Sequence, residues 1–159
     1  MPPHRVGKGD VLSDLMLLVF RLNARILDKG DQLAAPVQLT SARWQVLGAV
    51  ALSEQPPTAP QVAQAMGITR QGAQKQLNRM LDEGMFEMCA NPRHERSPFY
   101  MLTPKGRRAF ESVMRLHRRW SGRLAARLSR MELETARNVL ESLYERLGTV
   151  PVHVQEVAS

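Results

Sequence analysis

Apolar side chains recur with helical spacing from the start of the chain. Leu12, Leu15, Met16, Val19, Leu22 and Ile26 are separated by 3, 1, 3, 3 and 4 positions, one face of a helix over Val11–Leu27. Leu18, Phe20 and Leu27 widen that stripe beyond what one partner can cover, and Gly30 is expected to end the helix. Thr40 is a good N-cap for a second helix carrying Trp44, Leu47, Val50 and Ala51, closed by Glu54-Gln55-Pro56-Pro57. Thr58 caps a third, with Pro60 in the first turn, Val62, Ala63 and Met66 inward, and Gly67 as the stop. Thr69 caps a fourth, with Ala73, Leu77, Met80 and Leu81 on its apolar face and Asp82-Glu83-Gly84 at its end.

The period then changes. Met85–Ala90 and Phe99–Leu102 are short and β-compatible, and the polar stretch from Asn91 to Pro98 between them reads as the tip of a hairpin. No other strands are legible. Thr103-Pro104-Lys105-Gly106 opens a fifth helix carrying Phe110, Val113, Met114, His117, Trp120, Leu124 and Leu128 to about Ser129. Ser129-Arg130-Met131-Glu132 is a capping-box pattern. The stripe Leu133, Ala136, Leu140, Leu143, Tyr144 and Leu147 follows, with Gly148 as its end and a frayed tail from Pro151.

The fourth helix separates this pattern from a generic helical bundle. Its outer face carries Gln71, Gln74, Lys75 and Asn78, flanked by Arg70 and Arg79, and residues 70–79 contain no acid. Amide side chains hold donor and acceptor together and can pair with adenine. Arginine and lysine do the same with guanine or hold phosphates. A short helix, a turn containing glycine, a helix with such a face and a two-stranded wing describe a winged helix-turn-helix. Thr69, Arg70, Gln71, Gln74 and Lys75 form the base-reading and positioning set, with Asn78 and Arg79 further along; Arg93 and Arg96 on the wing are placed to enter a minor groove.

Composition sharpens the picture. The chain has 159 residues, enough for one domain with helical extensions, and a net charge of +7 that calls for an anionic partner. The excess sits late: residues 105–130 carry nine cations and a single acid, Glu111. That run is open to three readings. It is a solvated face paired with the acidic last helix, a contact to DNA backbone through Lys105 and Arg107, or the lining of a site for an acidic small ligand. The single cysteine, Cys89, excludes an internal disulfide and any multi-cysteine metal site. His4, His94, His117 and His153 are scattered without ligand spacing, so no metal and no cofactor are expected. No nucleophile–base arrangement or phosphate-cradling loop is legible, and no enzyme is expected. No apolar run approaches the ~18–20 residues that span a bilayer, and the first residues lack a signal-peptide pattern, so a cytoplasmic setting without membrane partners is the expectation.

Residues 39–106 resemble the MarR family (multiple antibiotic resistance regulators) of dimeric bacterial transcription factors. The matching text is LTSARWQVL, then PQVAQAMGITRQGAQKQLNRMLDEGMFEM, then NPRHERSPFYMLTPKG. The family's wing reads Asp-x-Arg-Asp-x-Arg before a strand and Leu-Thr-x-x-Gly; Asn91, Arg93, His94, Arg96, Leu102, Thr103 and Gly106 stand at those places with the spacing intact. With the flanking helices the resemblance spans roughly residues 10–148. It departs where both wing acids are replaced, by Asn91 and His94, which removes the charges that orient wing arginines. Asn91, His94 or Glu95 would have to take over, and a loosened but folded tip is expected.

The expected fold is mainly α: a winged helix-turn-helix at residues 36–105, a dimerisation arm and helix at 1–35, and dimerisation helices and tail at 106–159. Leu12, Leu15, Val19, Leu133, Leu140, Leu143, Tyr144 and Leu147 are the expected dimer contacts, because these stripes exceed what one small domain can bury. The expected function is a sequence-specific regulator that binds double-stranded DNA as a homodimer on a pseudo-palindromic operator, most simply a repressor. The resemblance further implies a small aromatic or acidic ligand, with Arg43, Trp44, Met114 and His117 as candidate lining. The rival reading is a winged-helix adaptor that binds protein and not specific DNA.

Overall fold

The computed structural model describes residues 7–152. The elements are α1 (Lys8–Ala34), a 3-10 turn (Ala35–Val37), α2 (Ser41–Ala51), α3 (Ala59–Met66), α4 (Arg70–Asp82), β1 (Phe86–Cys89), β2 (Phe99–Leu102), α5 (Pro104–Ala125) and α6 (Arg130–Thr149). The fold is mainly α with one antiparallel two-stranded wing, as the patterning predicts. His4, His153, the first six residues and the tail from His153 lie outside the described residues.

The chain forms two compact units, one through His117 and one from Arg118, with the boundary inside α5. The first unit holds the core. Val46 and Leu47 from α2, Val62 from α3, Leu77 and Met80 from α4, Phe86 and Tyr100 from the wing and Val113 from α5 are buried together. Phe86 pairs with Leu102 and Met88 with Tyr100; Phe86 and Tyr100 face that core, whereas Met88 is exposed. Beyond the hairpin, the Tyr100 N–H donates to the Pro57 carbonyl at 2.9 Å, which ties β2 to the segment entering α3.

Local chemistry accounts for the helix ends. Thr40 and Thr69 accept hydrogen bonds from the N–H groups of Arg43 and Gly72 at 3.3 and 3.0 Å. Asp31 adds a second cap to α2, accepting from the Ser41 N–H at 2.6 Å. Gly67 and Gly84 leave α3 and α4 with φ of 61° and 70°, values that only glycine adopts without strain.

Three boundaries differ from expectation. Gly30 does not end α1; it is buried in the helix interior, where a Cβ would overlap the Ser41 side chain. The residue that looks like a breaker is there because α1 and α2 approach too closely for any side chain. α5 closes at Ala125 and not near Ser129, because Ser129 itself is the extended N-cap of α6, with φ −74° and ψ 155°. The last helix runs one residue past Gly148.

Both outer helices leave apolar side chains in water. Leu17 and Phe20 of α1 are 61% and 69% exposed, and Tyr144 and Leu147 of α6 are 72% and 68% exposed. Among the expected dimer contacts, Leu12, Val19, Leu133 and Leu140 are exposed, and Leu15 and Leu143 are half-buried. Among the described residues no helix is long and apolar enough to cross a membrane.

Candidate nucleic-acid interface

α4 is held from beneath by Ala73, Leu77 and Met80, all fully buried. That anchoring leaves Arg70, Gln71, Gln74, Lys75, Asn78 and Arg79 exposed, with Thr69 at the N-terminal end. The sequence-derived set thus falls on one helix and outside the core. Its members are not equally free. Arg79 Nε donates to Glu83 at 3.3 Å across one helical turn. Gln74 Nε2 donates both to Asn78 Oδ1 at 2.8 Å and to the Tyr100 hydroxyl at 3.0 Å. Tyr100 was legible only as a strand residue. The signal that it matters is that a buried tyrosine needs a partner for its hydroxyl, and the nearest polar element is α4.

The wing closes against the end of α4 through the Leu102-Thr103-Pro104-Lys105-Gly106 segment. The Thr103 hydroxyl donates to the Gly84 carbonyl at 2.7 Å and accepts the Gly106 N–H at 3.1 Å. Lys105 Nζ donates to the Glu83 carbonyl at 2.6 Å, so this cation is occupied with the C-terminal end of α4. A Cβ on Gly106 would overlap the Met85 carbonyl, which explains why glycine stands there.

Asn91 replaces a wing acid, but its role is not to orient an arginine side chain. It is buried; its amide donates to the Ser97 carbonyl at 2.8 Å and its oxygen accepts the Arg93 backbone N–H at 3.1 Å. The turn is therefore ordered by side chain–backbone bonds. Arg93 and Arg96 are exposed, and the ion pairs among the described residues lie elsewhere, on α1, on α6 and around Glu83. Glu134 and Glu141 pair within α6, with Arg130 and Arg137.

Of the four candidate ligand residues, Trp44 and Met114 line one cavity, Arg43 borders another, and His117 lines neither. Trp44 and Met114 line an apolar cavity of about 550 Å³ together with Ile26, Gly48, Leu52 and Phe110. His117 lies against Trp44 with ring centroids 5.1 Å apart and planes tilted by 59°. Arg43 points about 100° away around α2, as its neighbour on a helix must. It borders a second cavity of about 500 Å³ with Glu83, Lys105 and Arg108. Arg43 is buried, pairs with Glu83, and donates from Nη1 to the Gln38 carbonyl at 3.3 Å. Burial, then the charge of Arg79, push the Arg43 pKa down. Glu83, read from sequence only as a helix end, thus joins α2 to α4. Cys89 lies half-buried on β1 with its Sγ 3.2 Å from the Met101 sulfur. Among the described residues no three His, Cys, Asp or Glu side chains could hold a metal ion.

A short helix, a glycine turn, an anchored helix with an amide-and-cation face, and a wing closed on its end define a winged helix-turn-helix protein. A sequence model of the MarR family matches residues 37–97. An uncharacterized protein of Mycobacterium tuberculosis is 34% identical over 135 residues, covering 85% of this chain and 93% of the relative. The transcriptional repressor CouR bound to a 23-mer DNA duplex superimposes with a TM-score of 0.72 at 25% identity, over 88% of this chain and 99% of that one. Staphylococcus aureus MarR in complex with salicylate and kanamycin gives 0.73 at 21% identity, over 92% and 99%. The chain belongs to the MarR family of transcription regulators.

Proposed function

We propose that this protein is a ligand-responsive repressor that binds a pseudo-palindromic operator as a homodimer. The observation that carries this reading is the outer face of α4 over residues 70–79: six exposed amide or cationic side chains, no acid before Asp82 in the last turn, and an apolar face locked into the core. Thr69, Arg70, Gln71, Gln74 and Lys75 meet the major groove, Asn78 and Arg79 extend the contact, and Arg93 and Arg96 reach the adjacent minor groove. Residues 36–105 are the DNA-binding domain. The segments 1–35 and 106–159 provide the dimer, which would set two copies of α4 one DNA turn apart, roughly 34 Å. The repressor role is supported by the likeness to CouR, and DNA binding fits a cytoplasmic site of action.

The ligand reading rests on the two cavities. The S. aureus neighbour holds salicylate, an aromatic acid; here the apolar cavity beside Trp44 suits an aromatic ring, and in the second cavity, where Arg43 is paired with Glu83, Arg108 is the cation left to meet a carboxylate. Such a ligand releases DNA only if it binds the DNA-incompetent spacing of the dimer more tightly.

Selection from a random duplex library tests the reading. Enrichment of an inverted repeat with half-sites about one helical turn apart is expected. Recovery of unrelated sequences would overturn it in favour of a winged-helix adaptor.

A further inference from the structure

Tyr100 belongs to the wing, yet its hydroxyl accepts from Gln74, a member of the proposed base-reading set on α4. The ring is 2% exposed, stands edge-on to Phe86 at 6.5 Å and 78°, and its backbone N–H is pinned to Pro57. Its hydroxyl is therefore a fixed acceptor, and Gln74 Nε2 donates to it at 3.0 Å. The second proton of the same amide goes to Asn78 Oδ1 at 2.8 Å. A primary amide has two N–H donors and one carbonyl. Both donors are spent inside the protein, so Gln74 Oε1 alone remains for a partner.

We infer that Tyr100 is a specificity-positioning residue: it locks the Gln74 amide so that α4 presents an acceptor, and Gln74 distinguishes amino from keto bases. In the major groove adenine offers N6–H₂ and cytosine N4–H₂, whereas guanine O6 and thymine O4 are acceptors. A locked Oε1 accepts from adenine or cytosine and faces lone pair to lone pair with guanine or thymine. The bidentate pairing with adenine that a free glutamine makes is not available, because it needs an amide N–H. The inference rests on the proposal that α4 lies in the major groove.

The test uses the full-length protein and a panel of duplexes carrying the selected operator with every single-base change in one half-site. Wild type should favour adenine or cytosine over guanine or thymine by about tenfold at one position. Tyr100→Phe keeps the ring and removes the acceptor, so the amide can turn its N–H toward the groove. Amino-over-keto preference at that position should fall at least threefold, with the other positions and the unfolding temperature unchanged. In a Gln74→Ala background Tyr100→Phe should have no further effect. Asn78→Ala, which frees the other N–H, should relax the same position. If Tyr100→Phe weakens every position equally, or leaves the profile intact while Gln74→Ala alters it, the assignment to Tyr100 is wrong and the regulator reading stands. A wild-type protein with no base preference at any position overturns both.

Discussion

Arg43 and Glu83 join the start of α2 to the end of the proposed reading helix, and Arg79 shares the same carboxylate. One acid thus serves two guanidinium groups, of which Arg43 is the buried one. Removing a partner from a buried pair leaves an uncompensated charge and costs ~3–5 kcal/mol; for exposed pairs the figure is ~0–1. Glu83 is one-third exposed, so Glu83→Gln is expected to cost about 1–3 kcal/mol, between those limits, in urea unfolding. A loss below about 0.3 kcal/mol would show that solvent screens the pair as it does a surface bridge. Asn91 makes the opposite point about replaced acids. Asn91→Asp would set a carboxylate against the Ser97 carbonyl and lose a donor, so it should loosen the wing turn and speed proteolysis there. Equal or slower cleavage would show that the acid orders the tip. The exposed placement of Thr69, Gln74 and Asn78 was legible because helical spacing sets them away from Ala73, Leu77 and Met80. Tyr100, Glu83 and the turn role of Asn91 were not, since each acts through a partner distant in sequence or in a loop.

At the scale of elements, caps and stripes placed the helices, while close approaches between them escaped the pattern. Gly30 stands in α1 opposite Ser41, and no one-dimensional signal distinguishes a glycine that ends a helix from one that lets two helices touch. Gly30→Val should cost about 1–3 kcal/mol by overpacking, and Ser41→Gly in the same chain should recover part of it. Additive losses in thermal unfolding would place the strain elsewhere. The capping box of α6 has a pH signature. Hydrogen bonds from the Ser129 backbone and hydroxyl lower the Glu132 pKa below the usual carboxylate value. A depressed carboxylate stabilises the folded state above its unfolded pKa and loses that contribution as pH falls through the folded value. Wild type should therefore be more stable than Glu132→Gln at pH 7, with the gap closing in acid below the usual glutamate pKa. A gap that widens on acidification would contradict the cap.

For the whole molecule, the exposed apolar side chains of α1 and of α6 are the reason for proposing a second copy as partner, and the charge of +7 the reason for proposing a polyanion. Sedimentation should give a dimer at micromolar concentration, and charged residues in place of Leu140 and Leu143 should give aggregated or unfolded protein. A clean wild-type monomer would remove the reason for an inverted-repeat site. The mainly α winged architecture was legible because helix caps, glycine stops and the shift from period 3.6 to 2 fall in order along the chain. Which surfaces meet in an assembly is not encoded in such local signals. The measurement that bears most directly on the central claim is affinity for the selected operator and for a scrambled duplex of equal length and composition, at about 150 mM salt. A sequence-specific regulator should prefer the operator by about 10³-fold or more. Its affinity for both should fall steeply as salt rises, since phosphate contacts release counterions. Equal affinity for the two duplexes would contradict sequence-specific reading by α4.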